Sequence, residues 1–260
     1  GQIIVATHSP NIILDDYHQI IRFYNTKQKT MVKSGVELSL ADDIKNHLHR
    51  NFPFIKEAFF SRSAIFVEGD TEYASFPVLG EKLRMDFDDL GICVIQARGQ
   101  AIPHLIEIAD SFGISSVGLT DRDDGKNVPE KTNHYQTNLR DFEEELITFL
   151  MDKGQDETLR EIIRNYDLNE GEEKTLLANA LNKYALKRYK AVSTRYDDEF
   201  RMKLTDIPKT DSNTLKSYYL TWFAIEKSFP LGKLIGETLK EDQIPEIFKK
   251  ILYQAHTLAK

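Results

Sequence analysis

Short strand-like runs alternate with amphipathic stretches through the middle of the chain. The runs are Ala64–Val67, Ile92–Ile95 and Ser116–Thr120, and each has the length of a buried strand. Between them, apolar residues recur every three to four positions, as on one face of a helix, with Asp70 or Thr71 as the first N-cap and Gly99 opening the second helix. Strands that alternate with helices predict a parallel sheet, so the predicted fold class is α/β.

Two of these strands end in carboxylates. The first runs into Glu68, with Glu72 one helical turn later, and the third runs into Asp121 and Asp123. Ligand sites of open α/β sheets lie at the carboxyl ends of the strands, and acids gathered there repel one another unless a cation lies between them. Oxygen ligands without a nearby Cys/His pair favour Mg²⁺ or Mn²⁺. Simple capping of helix N-termini is the alternative, and it accounts better for one acidic strand end than for two.

A further acid lies in the stretch 138–146. At helical spacing Glu143 shares a face with Ile147 and Leu150, which predicts that its side chain points inward, whereas Glu144 and Glu145 are predicted to be solvated. Glu143 is therefore a candidate metal ligand. An acidic first helical turn, favoured by the helix dipole, remains the alternative. Two ions held by such acids could activate water and stabilise the leaving oxygen of a phosphodiester.

The flanking regions have different patterns. Residues 2–10 predict a buried strand, residues 19–24 and 29–33 predict a hairpin, and residues 38–60 predict a helical connector interrupted at Pro53. Residues 134–228 have a mainly helical pattern, with breaks at 165–171 and 206–211, and residues 229–260 predict two short amphipathic helices. Asp197, Asp198, Asp211 and Ser212 are further polar residues that the sequence does not position.

Composition narrows the class of protein. The 260 residues are 41% apolar and 29% charged, as in a globular protein, and no apolar run is long enough for a membrane span. A single cysteine, Cys93, and the lack of a basic leader at the start predict a cytoplasmic protein. The net charge of −7 does not exclude nucleic acid, because acids that hold cations contribute to it. A basic and aromatic segment, with Lys183, Lys187, Arg188 and Lys190, is a candidate DNA contact, or equally a solvated helix face.

The segment Val67-Glu68-Gly69-Asp70-Thr71-Glu72, followed by Thr120-Asp121-Arg122-Asp123, resembles the Toprim domain. Its E-G-x-T-E form is similar to the OLD (overcoming lysogenization defect) family of ATPase-nucleases, which includes the Gabija antiphage nuclease subunit. The resemblance extends from Ser63 to about Gly125. It implies a Toprim-like, Rossmannoid parallel sheet and a Mg²⁺- or Mn²⁺-dependent DNA endonuclease or nickase, in which Glu68, Asp121 and Asp123 are catalytic.

The same resemblance assigns residues outside the motif. Glu143 lies in an R-x-x-E-x-x-L setting like that of an OLD glutamate, and Lys233, in P-L-G-K-L-I, resembles the late catalytic lysine that would neutralise charge on phosphorus. Thr7-His8-Ser9-Pro10 resembles the switch segment of ABC- and SMC-type ATPases, where His8 would contact the γ-phosphate of ATP. The sequence has no Walker A loop, so ATP is expected only in a longer protein.

The resemblance also implies an organisation and partners. The implied segments are the C-terminal remnant of an ATPase domain (1–37), a helical connector (38–61), a Toprim core (62–133), a helical insertion (134–228) and a return to the Toprim domain (229–260). The implied partners are double-stranded DNA, further copies in a homodimer or homotetramer, and a UvrD-like helicase, with no membrane. The alternatives are a topoisomerase, although none of the 11 tyrosines is marked as a nucleophile, a primase, or a non-catalytic ATPase-linked scaffold.

Overall fold

A computed structural model describes residues 3–13, 16–26, 28–38, 55–97, 99–122, 133–170, 175–177 and 201–260. The strands are β1 (Ile21–Asn25), β2 (Thr30–Ser34), β3 (Ser63–Val67), β4 (Ile92–Gln96), β5 (Ser115–Thr120), β6 (His134–Gln136), β7 (Leu176–Leu177) and β8 (Arg201–Met202). The α-helices are α1 (Asp70–Lys82), α2 (Phe87–Leu90), α3 (Ile102–Ser111), α4 (Phe142–Asp152), α5 (Glu157–Glu170), α6 (Ser212–Glu226), α7 (Phe229–Thr238) and α8 (Glu246–Ala259). Among these residues, none of the helices is both long and apolar enough to cross a membrane.

A four-stranded sheet in the order β4-β3-β5-β6 lies at the centre, and its neighbouring strands are parallel. Every residue of β3 is buried, since the sheet is covered on both faces. Ile65 and Val67 pack into a core shared with α1 and α4–α8, whereas Ala64 and Phe66 pack into a second core with α3. This alternation confirms the predicted α/β class and places the carboxyl ends of β3 and β5 side by side.

The hairpin formed by β1 and β2 is antiparallel, as the sequence predicts. The side chain of Arg22 connects the hairpin to the sheet domain through hydrogen bonds. The Arg22 guanidinium donates hydrogen bonds to the backbone carbonyls of Phe59 (3.0 Å), Ser61 (3.1 Å), Phe112 (3.2 Å) and Gly113 (2.7 Å). These carbonyls belong to the segment before β3 and to the end of α3, so the hairpin is tied to the element that leads into the first acidic strand.

Several predictions of secondary structure are wrong. Residues 3–9 form no strand, and Ile3 and Ile4 are each 88% exposed, because no described strand lies beside them to complete a ladder. The helical region predicted from residue 134 begins instead with β6, and α5 continues to residue 170 through the predicted break. The N-cap of α1 is Gly69 rather than Asp70 or Thr71. Most of the predicted connector, residues 39–54, lies outside the described residues.

Candidate metal centre

Glu68 and Asp121 meet at the carboxyl edge of the sheet. They follow directly after β3 and β5, which are hydrogen-bonded neighbours. The backbone N–H of Asp121 donates a hydrogen bond of 3.2 Å to Oε2 of Glu68, so the two strand ends are linked through one of the acids. Gly99 lies against the Glu68 carboxylate, and a Cβ atom at that position would overlap it. The sequence-based prediction that these two acids share an edge of the sheet therefore agrees with the fold.

Glu72 reaches the same edge from the first turn of α1. Its side chain is 1% exposed, although a glutamate in a first turn is usually solvated. The close approach depends on Gly69, since a Cβ there would lie 2.6 Å from Oε2 of Glu72. The spacing of four residues between Glu68 and Glu72 thus places both carboxylates on one side of the turn.

Glu143 and Lys227 complete the site from two other elements. Glu143 lies in the first turn of α4, is fully buried and accepts a hydrogen bond of 2.9 Å from Nζ of Lys227. Lys227 lies between α6 and α7, and its Nζ is 3.9 Å from Oδ2 of Asp121. We call Glu68, Glu72, Asp121 and Glu143 the carboxylate cluster. The inward position of Glu143 agrees with its predicted helical face.

The charges of the cluster are strongly coupled. The pKa of Glu72 is raised to about 7: burial is the largest cause, the charge of Lys227 opposes it, and the charges of Glu143 and Glu68 add to it. Burial also raises the pKa of Asp121 well above its usual range, with Glu72 adding to the effect. For Lys227, burial alone would lower the pKa, but Glu143, Glu72 and Asp121 together raise it. Lys227 is therefore a cation at any physiological pH, whereas the buried acids lack enough positive charge around them.

The carboxylate cluster fits a divalent cation by its chemistry. Three buried oxygens have no hydrogen-bond partner: Oε2 of Glu72, Oδ1 of Asp121 and Oε1 of Glu143. A buried carboxylate oxygen without a partner is costly, and a hard cation is the ligand that satisfies it. Among the described residues, however, no three His, Cys, Asp or Glu side chains form a preassembled metal cage. Binding an ion would therefore require the side chains to close around it.

Other predicted site residues lie elsewhere or cannot be placed. Lys233 lies on α7 with a side chain that is 59% exposed, and its Nζ is 3.8 Å from Oε1 of Glu237. Among the described residues, neither a hydrogen bond nor an ion pair joins Lys233 to the carboxylate cluster. Its catalytic role stays a prediction. His8 is exposed, and the centroid of its ring lies 6.3 Å from the centroid of the Phe60 ring. Its contact with the γ-phosphate of ATP also stays a prediction. Outside the described residues lie Asp123, Lys183, Lys187, Arg188, Lys190, Asp197 and Asp198.

Two other acids have structural roles. Glu145, predicted to be solvated, is 9% exposed, because its carboxylate accepts hydrogen bonds from the N–H of Leu139 (2.9 Å) and from Asn138 (2.8 Å). That prediction is wrong, since the loop before α4 folds back over the helix start. Asp211 is an exposed N-cap that accepts from the N–H of Thr214 at 3.1 Å. Neither residue has unpartnered oxygens directed at the cluster.

Sequence reasoning missed Lys227, although a signal for its position exists in the next helix. Gly232 and Gly236 are four residues apart and face α1: a Cβ at Gly232 would overlap the carbonyl of Thr71, and one at Gly236 would lie 2.7 Å from Cβ of Val78. This G-x-x-x-G spacing brings α7 close to the first turn of α1. Lys227, two residues before α7, is thereby placed beside Glu72, while Lys233, next to Gly232, is turned to the exposed side.

The parallel α/β sheet, with acids after two adjacent central strands, agrees with the Toprim-like sheet that the sequence motif implies. The comparisons specify it further. Residues 59–123 match the family model of the overcoming lysogenization defect protein-like TOPRIM domain. The match therefore lies over the segment that carries the sequence motif, and this segment is similar to an OLD-like Toprim domain. Comparison with curated proteins finds no match.

Solved structures of the C-terminal regions of OLD proteins are among those similar to this chain. The C-terminal region of the Burkholderia pseudomallei OLD protein is 18% identical, with 77% of this chain and 100% of that chain covered and a TM-score of 0.49. The C-terminal region of the Xanthomonas campestris pv. campestris OLD protein is 20% identical, with 78% and 96% covered and a TM-score of 0.49.

Proposed function

We propose that this chain is the nuclease module of an OLD-like protein, and that it hydrolyses phosphodiester bonds of DNA with Mg²⁺ or Mn²⁺. The observation that supports this proposal best is the set of unpartnered, buried oxygens on Glu72, Asp121 and Glu143 beside the two strand ends. Buried acids in a stable core are normally satisfied by hydrogen bonds, so three unpartnered carboxylate oxygens gathered at one place favour a bound cation over a purely structural ion pair.

The residues have distinct tasks in this proposal. Glu68, Glu72, Asp121 and Glu143 would hold the metal, and Asp123 is a further proposed ligand from the sequence. Bound metal would supply an activated water and stabilise the leaving oxygen, in the manner of two-metal phosphoryl hydrolases. The chain itself fixes the geometry: Gly69 and Gly99 leave room for the carboxylates, and the N–H of Asp121 orients Glu68. Lys233 remains the sequence-based candidate for stabilising charge on phosphorus.

The biological setting is part of the proposal. Double-stranded DNA is the proposed substrate, with the segment 183–190 as its basic contact. A longer protein would add an ATPase domain that acts through His8, and would assemble as a homodimer or homotetramer. Antiphage defence together with a UvrD-like helicase would follow if the protein is Gabija-like.

Supercoiled plasmid tests the reaction. The chain is incubated with plasmid in Mg²⁺, Mn²⁺ or EDTA, beside the variants Glu68→Ala and Asp121→Ala. Glu157→Gln is the control, since this glutamate forms an exposed pair with Lys209. We expect nicked or linear DNA with either metal, none in EDTA or with the two alanine variants, and unchanged cutting by the control. Relaxed closed circles would instead indicate a topoisomerase, and intact plasmid in all metal conditions would contradict the nuclease proposal.

A further inference from the structure

Lys227 occupies the place where the carboxylate cluster needs positive charge. Its Nζ lies 2.9 Å from Oε2 of Glu143 and 3.9 Å from Oδ2 of Asp121. Its Cε lies 3.4 Å from the position that a Cβ of Gly69 would take. The ammonium is thus enclosed by elements from both acidic strand ends and from α4. It contacts the same two carboxylates that carry the unpartnered oxygens Oδ1 of Asp121 and Oε1 of Glu143.

A divalent cation and this ammonium compete for the same two carboxylates. The ammonium contacts Oε2 of Glu143 and Oδ2 of Asp121, and a cation on the unpartnered Oε1 and Oδ1 of these carboxylates would lie close to it. Like charges a few ångströms apart repel strongly in a buried site. The ammonium carries a single positive charge among four carboxylates, and it lies at ion-pair distance from Glu143 and Asp121. A divalent ion carries more charge and can coordinate several carboxylates at once. Metal binding is therefore favoured once Lys227 leaves its position.

The side chain of Lys227 has a route out of the cluster. It is 32% exposed, in contrast to the fully buried Glu143 that it pairs with. A lysine carries its charge on a flexible four-carbon stem, so the ammonium can turn to solvent without movement of the backbone. Its neighbour Ser228 is the N-cap of α7, which keeps the backbone at this point fixed.

We propose that Lys227 is the internal counter-cation of the metal-free site and that a divalent metal ion displaces it. The displaced ammonium faces the open side of the site, where a phosphate of the substrate would approach. The inference rests on the proposed function for the metal, but it concerns the order of events: metal loading releases the lysine. The alternative is a permanent ion pair that holds the junction of α6 and α7 against α4.

Metal affinity separates the two possibilities. Mg²⁺ and Mn²⁺ are titrated by calorimetry into the full chain, into Lys227→Met and into the control Lys209→Met. Lys209 has the same pair length, 2.9 Å to Glu157, but the pair is exposed. Displacement predicts that Lys227→Met binds metal tighter by about tenfold or more, since the competitor is gone, and that the control binds like wild type. Unchanged or weaker binding by Lys227→Met would overturn the proposal, as would a wild type that binds neither metal.

A second readout uses the wild-type chain and does not depend on the variant folding. Lysines are acetylated briefly with and without Mn²⁺, and labelling is quantified by mass spectrometry. Displacement predicts that labelling of Lys227 rises by about threefold or more with Mn²⁺, because the ammonium leaves its ion pair, whereas labelling of Lys209 stays constant. Equal labelling of Lys227 in both conditions would refute the exchange. Plasmid cleavage is scored separately, so a chain that exchanges the lysine but does not cut would refute only the nuclease function.

Discussion

At the scale of one residue, Glu72 shows the effect of the site on the burial, hydrogen bonding and pKa of an acid. Its carboxylate is buried, one of its oxygens has no partner, and its pKa is raised to about 7, with burial as the largest cause. An acid in this position binds its proton more tightly in the folded chain than in the unfolded one. The metal-free protein should therefore depend on pH in a range where surface acids no longer titrate.

This dependence gives a prediction about stability in EDTA. The folded-state pKa of Glu72 is raised from 4.5 to about 7, so the folded chain holds a proton that the unfolded chain releases between these values. The free energy of unfolding should then fall as pH rises through that window, by an amount on the order of 2–4 kcal/mol. Glu72→Gln should remove this part of the decline and be more stable at pH 8. Urea unfolding at pH 5, 6, 7 and 8 measures it.

The exposed Glu157 provides the comparison. Its pKa is lowered by the hydrogen bond from Lys209, so Glu157→Gln should lose a little stability and leave the slope between pH 5 and 7 unchanged. Parallel pH profiles for wild type and Glu72→Gln would show that Glu72 is not the acid responsible.

At the scale of elements, the hairpin and the sheet domain are joined through Arg22. The side chain is 8% exposed, and burial lowers its pKa, with the opposing effect of Tyr24 smaller. The guanidinium of Arg22 lies 4.7 Å from the centre of the Tyr24 ring. The planar guanidinium has several N–H donors, and these donate to four backbone carbonyls from two segments of the chain, 59–61 and 112–113.

We expect Arg22→Met to destabilise the chain by about 3–5 kcal/mol, because it leaves buried carbonyls without donors. Arg22→Lys should recover only part of this loss, since an ammonium cannot reach all four acceptors. Lys29→Met, an exposed cation at the turn of the same hairpin, should change stability little. Chemical denaturation compares the three variants. A loss below about 1 kcal/mol for Arg22→Met would mean that water replaces the guanidinium.

The contact between α1 and α7 gives a second prediction at this scale. Gly232→Ala introduces a methyl group where the carbonyl of Thr71 already lies, and backbone cannot move aside cheaply. We expect a loss of about 1–3 kcal/mol despite the better helix propensity of alanine. Glu237→Ala, on the exposed side of α7, should be near neutral by comparison. A Gly232→Ala variant that is as stable as wild type would show that the two helices do not pack this closely.

The elements that the sequence predicts well are those with a local pattern. Strands β3, β4 and β5, and the acids after β3 and β5, follow from short apolar runs that end abruptly. Strand β6 is three residues long and contains polar side chains, so no period is visible, and pairing with β5 alone makes it a strand. The strand predicted for residues 2–10 fails for the converse reason, since an apolar run needs a neighbour. The position of Lys227 depends on helix packing, for which the sequence holds only an indirect signal, the G-x-x-x-G spacing of Gly232 and Gly236 in the next helix.

At the scale of the whole molecule, the site and the larger core are one unit. Ile65 and Val67 of β3, Phe76 of α1 and Phe142 of α4 belong to the same hydrophobic cluster, which continues to Phe248 of α8. The rings of Phe142 and Phe248 stack with centroids 4.4 Å apart. Elements that hold the carboxylates therefore also hold the core, and we expect ligand binding at the site to stabilise the described sheet domain as a whole.

Metal addition and removal test this coupling. Mg²⁺ or Mn²⁺ binds only the folded arrangement of acids, so it should raise the melting temperature, with a gain of about 2.7 kcal/mol at a concentration 100 times the dissociation constant. EDTA should reverse the gain. In Glu68→Ala and Asp121→Ala the rise should shrink, although the metal-free variants should melt at the wild-type temperature or slightly above it, because each loses a repelling carboxylate. NaCl at matched ionic strength controls for screening. If NaCl gives the same rise as MgCl₂, or if both variants respond like wild type, the ion binds elsewhere and the carboxylate cluster is not the metal centre.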